Sequence, residues 1–162
     1  MRRLMILAAL CAGMSFAAAG AELQGRVTAV HDGDTLTLSV EGSALRVRLD
    51  GVDAPELGQP NGRSARRSLA ALCRGKEAKV IERGKDDEGR VLGSVTCADV
   101  DVNAEQVRRG MAWVHLRYLP LGSPLYEFEA NARLRRVGLW RGKEPVAPWE
   151  WRARAAAEKG KR

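Results

Sequence analysis

Residues 35–49 read Thr35-Leu36-Thr37-Leu38-Ser39-Val40, then Glu41-Gly42-Ser43-Ala44, then Leu45-Arg46-Val47-Arg48-Leu49. Leu36, Leu38 and Val40 share one parity in the first run, and Leu45, Val47 and Leu49 share one in the second. Strict alternation of this kind predicts two half-buried antiparallel strands, with residues 41–44 as the hairpin loop. If Val40 pairs with Leu45, then Leu38 faces Val47 and Leu36 faces Leu49. Every apolar residue then meets an apolar partner, while Arg46 and Arg48 point to the polar face.

Outward from this hairpin, residues 25–31 read as a preceding strand, and 79–82 and 91–97 as two following ones. A helix is expected over 61–73, with Ala65, Leu69 and Leu72 on one stripe and Gly75 ending it. A second runs over 102–109 and stops at Gly110. A third starts at Ser123-Pro124, a serine cap followed by proline in the first turn. It buries Leu125, Phe128 and Ala132 and ends by Gly138. After Pro148 comes an Ala- and Arg-rich basic tail, read as a short helix that frays. Five strands, with a helix between the third and fourth and more helices after the fifth, predict an α+β fold: a five-stranded OB-type Greek-key barrel with about three helices.

The N-terminus reads as a signal peptide over 1–21. Arg2 and Arg3 precede the apolar run of residues 4–12, and Ala19-Gly20-Ala21 supplies a small-x-small cleavage site. The run is short for a membrane span. The expected domain therefore covers 22–145, and the basic tail 146–162. Across the chain, 27 Lys and Arg outnumber 20 Asp and Glu; removing Arg2 and Arg3 leaves an excess of five. An exported basic protein favours polyanions such as nucleic acid, anionic lipid or acidic glycans. Localisation is expected to be periplasmic or secreted, without stable membrane insertion after signal removal, and a monomer is the default. Cys73 and Cys97, the two cysteines left after the leader, are expected to form a disulfide. Two buried thiols are the rival reading.

Two acidic clusters carry the chemistry. Asp32-Gly33-Asp34-Thr35 alone is an ordinary turn. Residues 48–56, Arg48-Leu49-Asp50-Gly51-Val52-Asp53-Ala54-Pro55-Glu56, alone read as a charged strand end. The hairpin register joins them. It sets Asp53 across from Asp32 and gives Asp34 and Asp53 the parity of the core. Two carboxylates at the mouth of an apolar face repel unless a cation lies between them. Oxygen ligands without His or Cys point to Ca²⁺ or Mg²⁺. Glu56, beyond a rigid Ala54-Pro55, is placed to deprotonate a water. Arg48 and Arg90 supply forked donors for a phosphate whose oxygens gain charge in the transition state. His31 and His115 read as ordinary histidines.

With these residues in view, the chain resembles the staphylococcal nuclease (thermonuclease) family over roughly 25–140. The resemblance rests on Asp32-Gly33-Asp34-Thr35, Arg48-Leu49, Val52-Asp53-Ala54-Pro55-Glu56 and Gly89-Arg90. Further on it includes Val102-Asn103, Val107-Arg108-Arg109-Gly110-Met111-Ala112 and Val137-Gly138-Leu139-Trp140. It implies an OB-fold that binds one Ca²⁺ and cleaves DNA and RNA to 3′-phosphate ends. Asp34 and Asp53 would hold calcium through carboxylates and Ala54 through its carbonyl. Arg48 and Arg90 would hold the scissile phosphate, and Glu56 would be the general base. Tyr118 would flank a substrate base. Two departures stand out. Glu88 lies where the family often has a tyrosine and is expected to repel phosphate. Leu116 replaces a second base-flanking tyrosine, so polymer binding leans more on charge. The rival readings are a non-catalytic OB module that binds a polyanion and an envelope protein; the latter explains none of the clustered acids.

Overall fold

A computed structural model describes residues 20–115 and 119–160 of the chain. The expected signal peptide therefore lies almost wholly outside the described residues, as do Leu116 and Tyr118. The strands and helices follow in the order β1 (Glu22–Val30), β2 (Thr35–Val40), β3 (Ser43–Leu49), β4 (Val52–Asp53), α1 (Gly62–Cys73), β5 (Glu77–Lys85), β6 (Val91–Cys97), β7 (Val100–Asp101), α2 (Val102–Arg108), β8 (Trp113–Val114), α3 (Pro124–Leu134) and α4 (Pro148–Lys159). A 3-10 turn spans Gly138–Arg141, between α3 and α4.

Antiparallel ladders join β3 to β2, β2 to β1, β1 to β5 and β5 to β6. A parallel pairing of β3 with β6, Val47 opposite Val91 and Leu49 opposite Gly93, closes the five strands into a barrel. This is the α+β OB-fold predicted from the order of elements. Closure matters for function: it leaves β3 with a ladder on both sides, so Arg48 rises from one of the most constrained backbones in the molecule. Alternate residues of the strands fill the interior, with Leu36, Leu38, Val47, Leu49, Val80 and Val95 all essentially inaccessible. Ala65 and Leu69 of α1 and Val102 and Val107 of α2 pack against the same core.

The hairpin register differs from the expected one. Leu36 pairs with Val47, Leu38 with Leu45 and Val40 with Ser43, a slip of two residues. The loop is two residues long, Glu41-Gly42, not four. Both residues have positive φ, 48° and 83°, the backbone of a tight turn whose twist matches that of the strands. The turn therefore takes Ser43 and Ala44 into the strand. Asp53 consequently does not sit across from Asp32. After Leu49 the chain turns at Gly51, φ 72°, and β4 leaves the barrel ladder to pair with β8.

Helix limits follow their caps. Asp101 accepts a hydrogen bond from the Ala104 N–H at the start of α2, and Ser123 from Leu125 at the start of α3. Of the stripe expected on α3, Leu125 and Ala132 are buried, while the half-buried Phe128 lies beneath the Arg108 guanidinium, 3.8 Å from its ring centroid. Cys73 at the end of α1 and Cys97 at the end of β6 form the disulfide. The tail after residue 146 contains a full helix, α4. Its start docks on a second apolar cluster of Trp113, Ala132, Leu139, Trp140 and Ala147. Among the described residues, no helix is long and apolar enough to cross a membrane.

Candidate active site

The Asp32-Gly33-Asp34 turn is built by its own side chains. Asp32 Oδ1 accepts the Asp34 N–H at 3.0 Å, which fixes the bend. Gly33 is there because nothing larger fits: a Cβ would lie 2.6 Å from the methyls of both Ala54 and Ala65. The buried Gln106 amide donates to the carbonyls of Gly33 (2.6 Å) and Ala65 (3.2 Å), tying the turn to α1. Asn103 does the same for the turn at Asp50-Gly51. It accepts from the Val95 N–H and donates to the Asp50 carbonyl at 2.8 Å. Two buried amides thus hold the loops that carry the acids.

Asp34 and Asp53 meet by this route rather than by ladder register. The Ala54 N–H donates to Asp34 Oδ2 at 2.7 Å, so the residue after Asp53 is pinned to Asp34. One guanidinium spans both acids. Arg48 Nη1 lies 3.3 Å from Asp34 Oδ1, and Nη2 donates to Asp53 Oδ1 at 2.7 Å. The two carboxylates are 2% and 1% exposed, the two buried charged groups among the described residues. They open onto a cleft of about 540 Å³ that Arg48, Glu56, Arg90, His115 and Arg152 also line. Glu56 sits in the turn after β4, with its N–H held by the Gln59 side chain. Arg90 comes from the β5–β6 turn, where Asp86 accepts from its backbone N–H (2.9 Å) and its Nε (2.6 Å).

Burial pushes the Asp34 carboxyl up to about 7; Arg48 opposes the rise, and Asp32 and Asp53 add to it. Its native pKa exceeds the unfolded value, so between about 4 and 7 the native state binds more protons at this site than the unfolded chain. Stability from this group is therefore present at low pH and is lost as pH rises toward 7. The melting temperature of the metal-free wild type is expected to fall over that range relative to Asp34→Asn, whose amide oxygen still accepts from Ala54. Parallel pH profiles for the two proteins would show that Asp34 titrates normally.

Among the described residues, no three His, Cys, Asp or Glu side chains stand close enough to cage a metal by themselves. The donors present nevertheless suit one hard dication. Two buried carboxylates lie within the span of a single guanidinium and, with Ala54, line an open cleft where water or phosphate oxygens would complete the shell. The positive charge of Arg48 and Arg152 balances these acids in the structure.

The family description "Staphylococcal nuclease homologue" matches residues 46–142. The chain belongs to the staphylococcal nuclease family. It is 39% identical over 144 residues to a micrococcal nuclease of Shigella flexneri, covering 83% of each chain. An Escherichia coli protein named an uncharacterized endonuclease is 39% identical over 135 residues, 83% of this chain and 88% of that one. A Haemophilus influenzae protein of the same description is 36% identical over 129 residues, 78% and 71%. The family match begins in β3 and so contains Arg48, Asp53, Glu56 and Arg90, while Asp34 lies before it.

Every expected catalytic or metal-binding residue lines this one cleft: Asp34, Arg48, Asp53, Ala54, Glu56 and Arg90. Tyr118 lies outside the described residues. Two participants, Asp86 and Arg152, were not expected, and Glu88 acts otherwise than expected. Asp86 orients Arg90, and its place four residues earlier across a tight Gly89 turn was the available signal. Glu88, expected to repel phosphate, ion-pairs with Arg90 Nη2 at 3.2 Å and so competes for it. Arg152 reaches both Asp53 and Glu56 at 2.8 Å from α4, and nothing in the sequence distinguishes it from the other tail arginines.

Proposed function

We propose that this member of the staphylococcal nuclease family is a calcium-dependent nuclease that hydrolyses phosphodiester bonds of DNA, RNA or both. The observation that carries the reading is the pair of buried aspartates spanned by Arg48, opening onto one cleft with Glu56 and Arg90. The names of its relatives, micrococcal nuclease and endonuclease, support the same chemistry.

In this reading Asp34, Asp53 and the Ala54 carbonyl hold Ca²⁺, which when bound offsets charge on the phosphate oxygens. Glu56 takes the proton from the attacking water, and its partial exposure, 43% of the side chain, leaves it open to one. Arg48 and Arg90 donate to the nonbridging oxygens, and they stay charged at any working pH. Displacement of the 5′ oxygen then yields a 3′-phosphate end. Tyr118 is proposed to stack on a base, and the basic surface to hold the polymer. A disulfide that needs an oxidising compartment supports export, to the periplasm or beyond. The working form is proposed to be a monomer.

Supercoiled plasmid and structured RNA, incubated with the protein in millimolar Ca²⁺ or in excess chelator, test this. Cleavage with calcium and none with chelator is expected. Retention of the nucleic acid without cutting in either condition would instead identify a binding module.

A further inference from the structure

We propose that Arg152 is a third phosphate-binding guanidinium of this site, held on Asp53 and Glu56 until a dication takes those carboxylates. The proposal rests on the nuclease reading above. Arg152 Nη2 donates to Asp53 Oδ2 at 2.8 Å, and Nη1 to Asp53 Oδ1 at 3.2 Å and Glu56 Oε1 at 2.8 Å. Asp53 Oδ1 also accepts from Arg48 at 2.7 Å. Both oxygens of Asp53 are therefore engaged by arginine, and a cation that binds there competes with a guanidinium for them.

Arg152 is the one that yields. Arg48 sits on β3 between two ladders, opposite Thr35 and Leu92, with a side chain only 20% exposed that also contacts Asp34. Arg152 is 44% exposed, on a helix with one buried residue, Pro148. An arriving double charge repels it at short range, where the cleft wall screens poorly.

Once released, Arg152 stays at the cleft. The start of α4 is fastened by the buried Ala147 and Pro148 and by the Gln59 amide, which donates to the Val146 carbonyl at 2.6 Å. The Trp149 ring packs edge-on against His115, itself a lining residue of the cleft, with centroids 5.4 Å apart. A guanidinium freed at this mouth faces the cleft where a phosphodiester would enter, and its fork matches two phosphate oxygens. In the absence of the ion the Arg152 fork is thus taken up by Asp53 and Glu56, and loading the ion frees it as a hold for the polymer.

Calcium calorimetry without nucleic acid, together with steady-state cleavage of a labelled oligonucleotide at saturating calcium, tests both halves. Arg152→Gln is expected to bind calcium about tenfold tighter, the loss of one charge-assisted contact. Its KM should rise about tenfold, with kcat within about threefold of wild type. Arg152→Lys keeps the charge but not the fork, should change both in the same direction by less, and serves if the glutamine variant does not fold. Unchanged or weaker calcium affinity overturns the competition, and an unchanged KM overturns the phosphate contact. A wild type that binds no calcium, or cleaves without it, refutes the calcium-dependent reading itself before any variant is made.

Discussion

Glu56→Gln is expected to lower kcat about a hundredfold to ten-thousandfold while leaving nucleic-acid affinity close to wild type. The lower figure is the usual worth of a positioned general base, and the upper applies when no other group takes the proton. Glutamine keeps the shape and still offers Arg152 an acceptor oxygen, so what is removed is the capacity to take a proton. Glu56 is 43% exposed at its side chain and its backbone is held separately by Gln59. Little stability should therefore be lost, within about 1 kcal/mol for a partly exposed ion pair. Single-turnover cleavage of an end-labelled oligonucleotide reads the chemical step directly. A variant within tenfold of wild type would remove Glu56 from the role of base.

Arg48→Ala is expected to be damaging in two separable ways. Removal of one preorganised donor to the charge-bearing oxygens typically costs about a hundredfold to a thousandfold in kcat. The same change strips a guanidinium from two carboxylates that are almost wholly buried. Breaking a buried pair costs roughly 3 kcal/mol or more when the remaining charge stays ionised. Asp53 keeps Arg152, whereas Asp34 loses the guanidinium that restrains its upward pKa shift. Asp34 should then protonate more readily, so the loss in melting temperature is expected to be smaller at pH 5 than at pH 8. Arg48→Lys should recover stability better than activity, because an ammonium restores charge without the fork. Equal melting temperatures for wild type and Arg48→Ala at both pH values would contradict the buried pairing.

The strand faces were legible because period-two alternation is a strong signal in a closed barrel whose interior is filled mostly by apolar groups. The register was not, because Glu41-Gly42 turns in two residues where four were expected. A slip of two keeps each side chain of the hairpin on its own face, so the core-facing residues were placed correctly, but the expected ladder opposition of Asp32 and Asp53 is absent and does not account for the meeting of Asp34 and Asp53. What brings them together, an Ala54 N–H on Asp34 and a glycine wedged between two alanines, is tertiary contact with no periodic trace. The basic tail shows the same limit. Composition marked it as charged, but Arg152 acquires its role only because α4 docks on the tryptophan cluster and returns it to an aspartate ninety-nine positions earlier. A charge count cannot single out one such arginine.

Calorimetric titration of calcium into wild type, Asp34→Asn and Asp53→Asn tests the central claim most directly. One ion per chain is expected for wild type, with binding lost or weakened at least about tenfold in each variant, since each removes one of two charged ligands. Calcium bound with equal affinity by all three proteins would contradict the site.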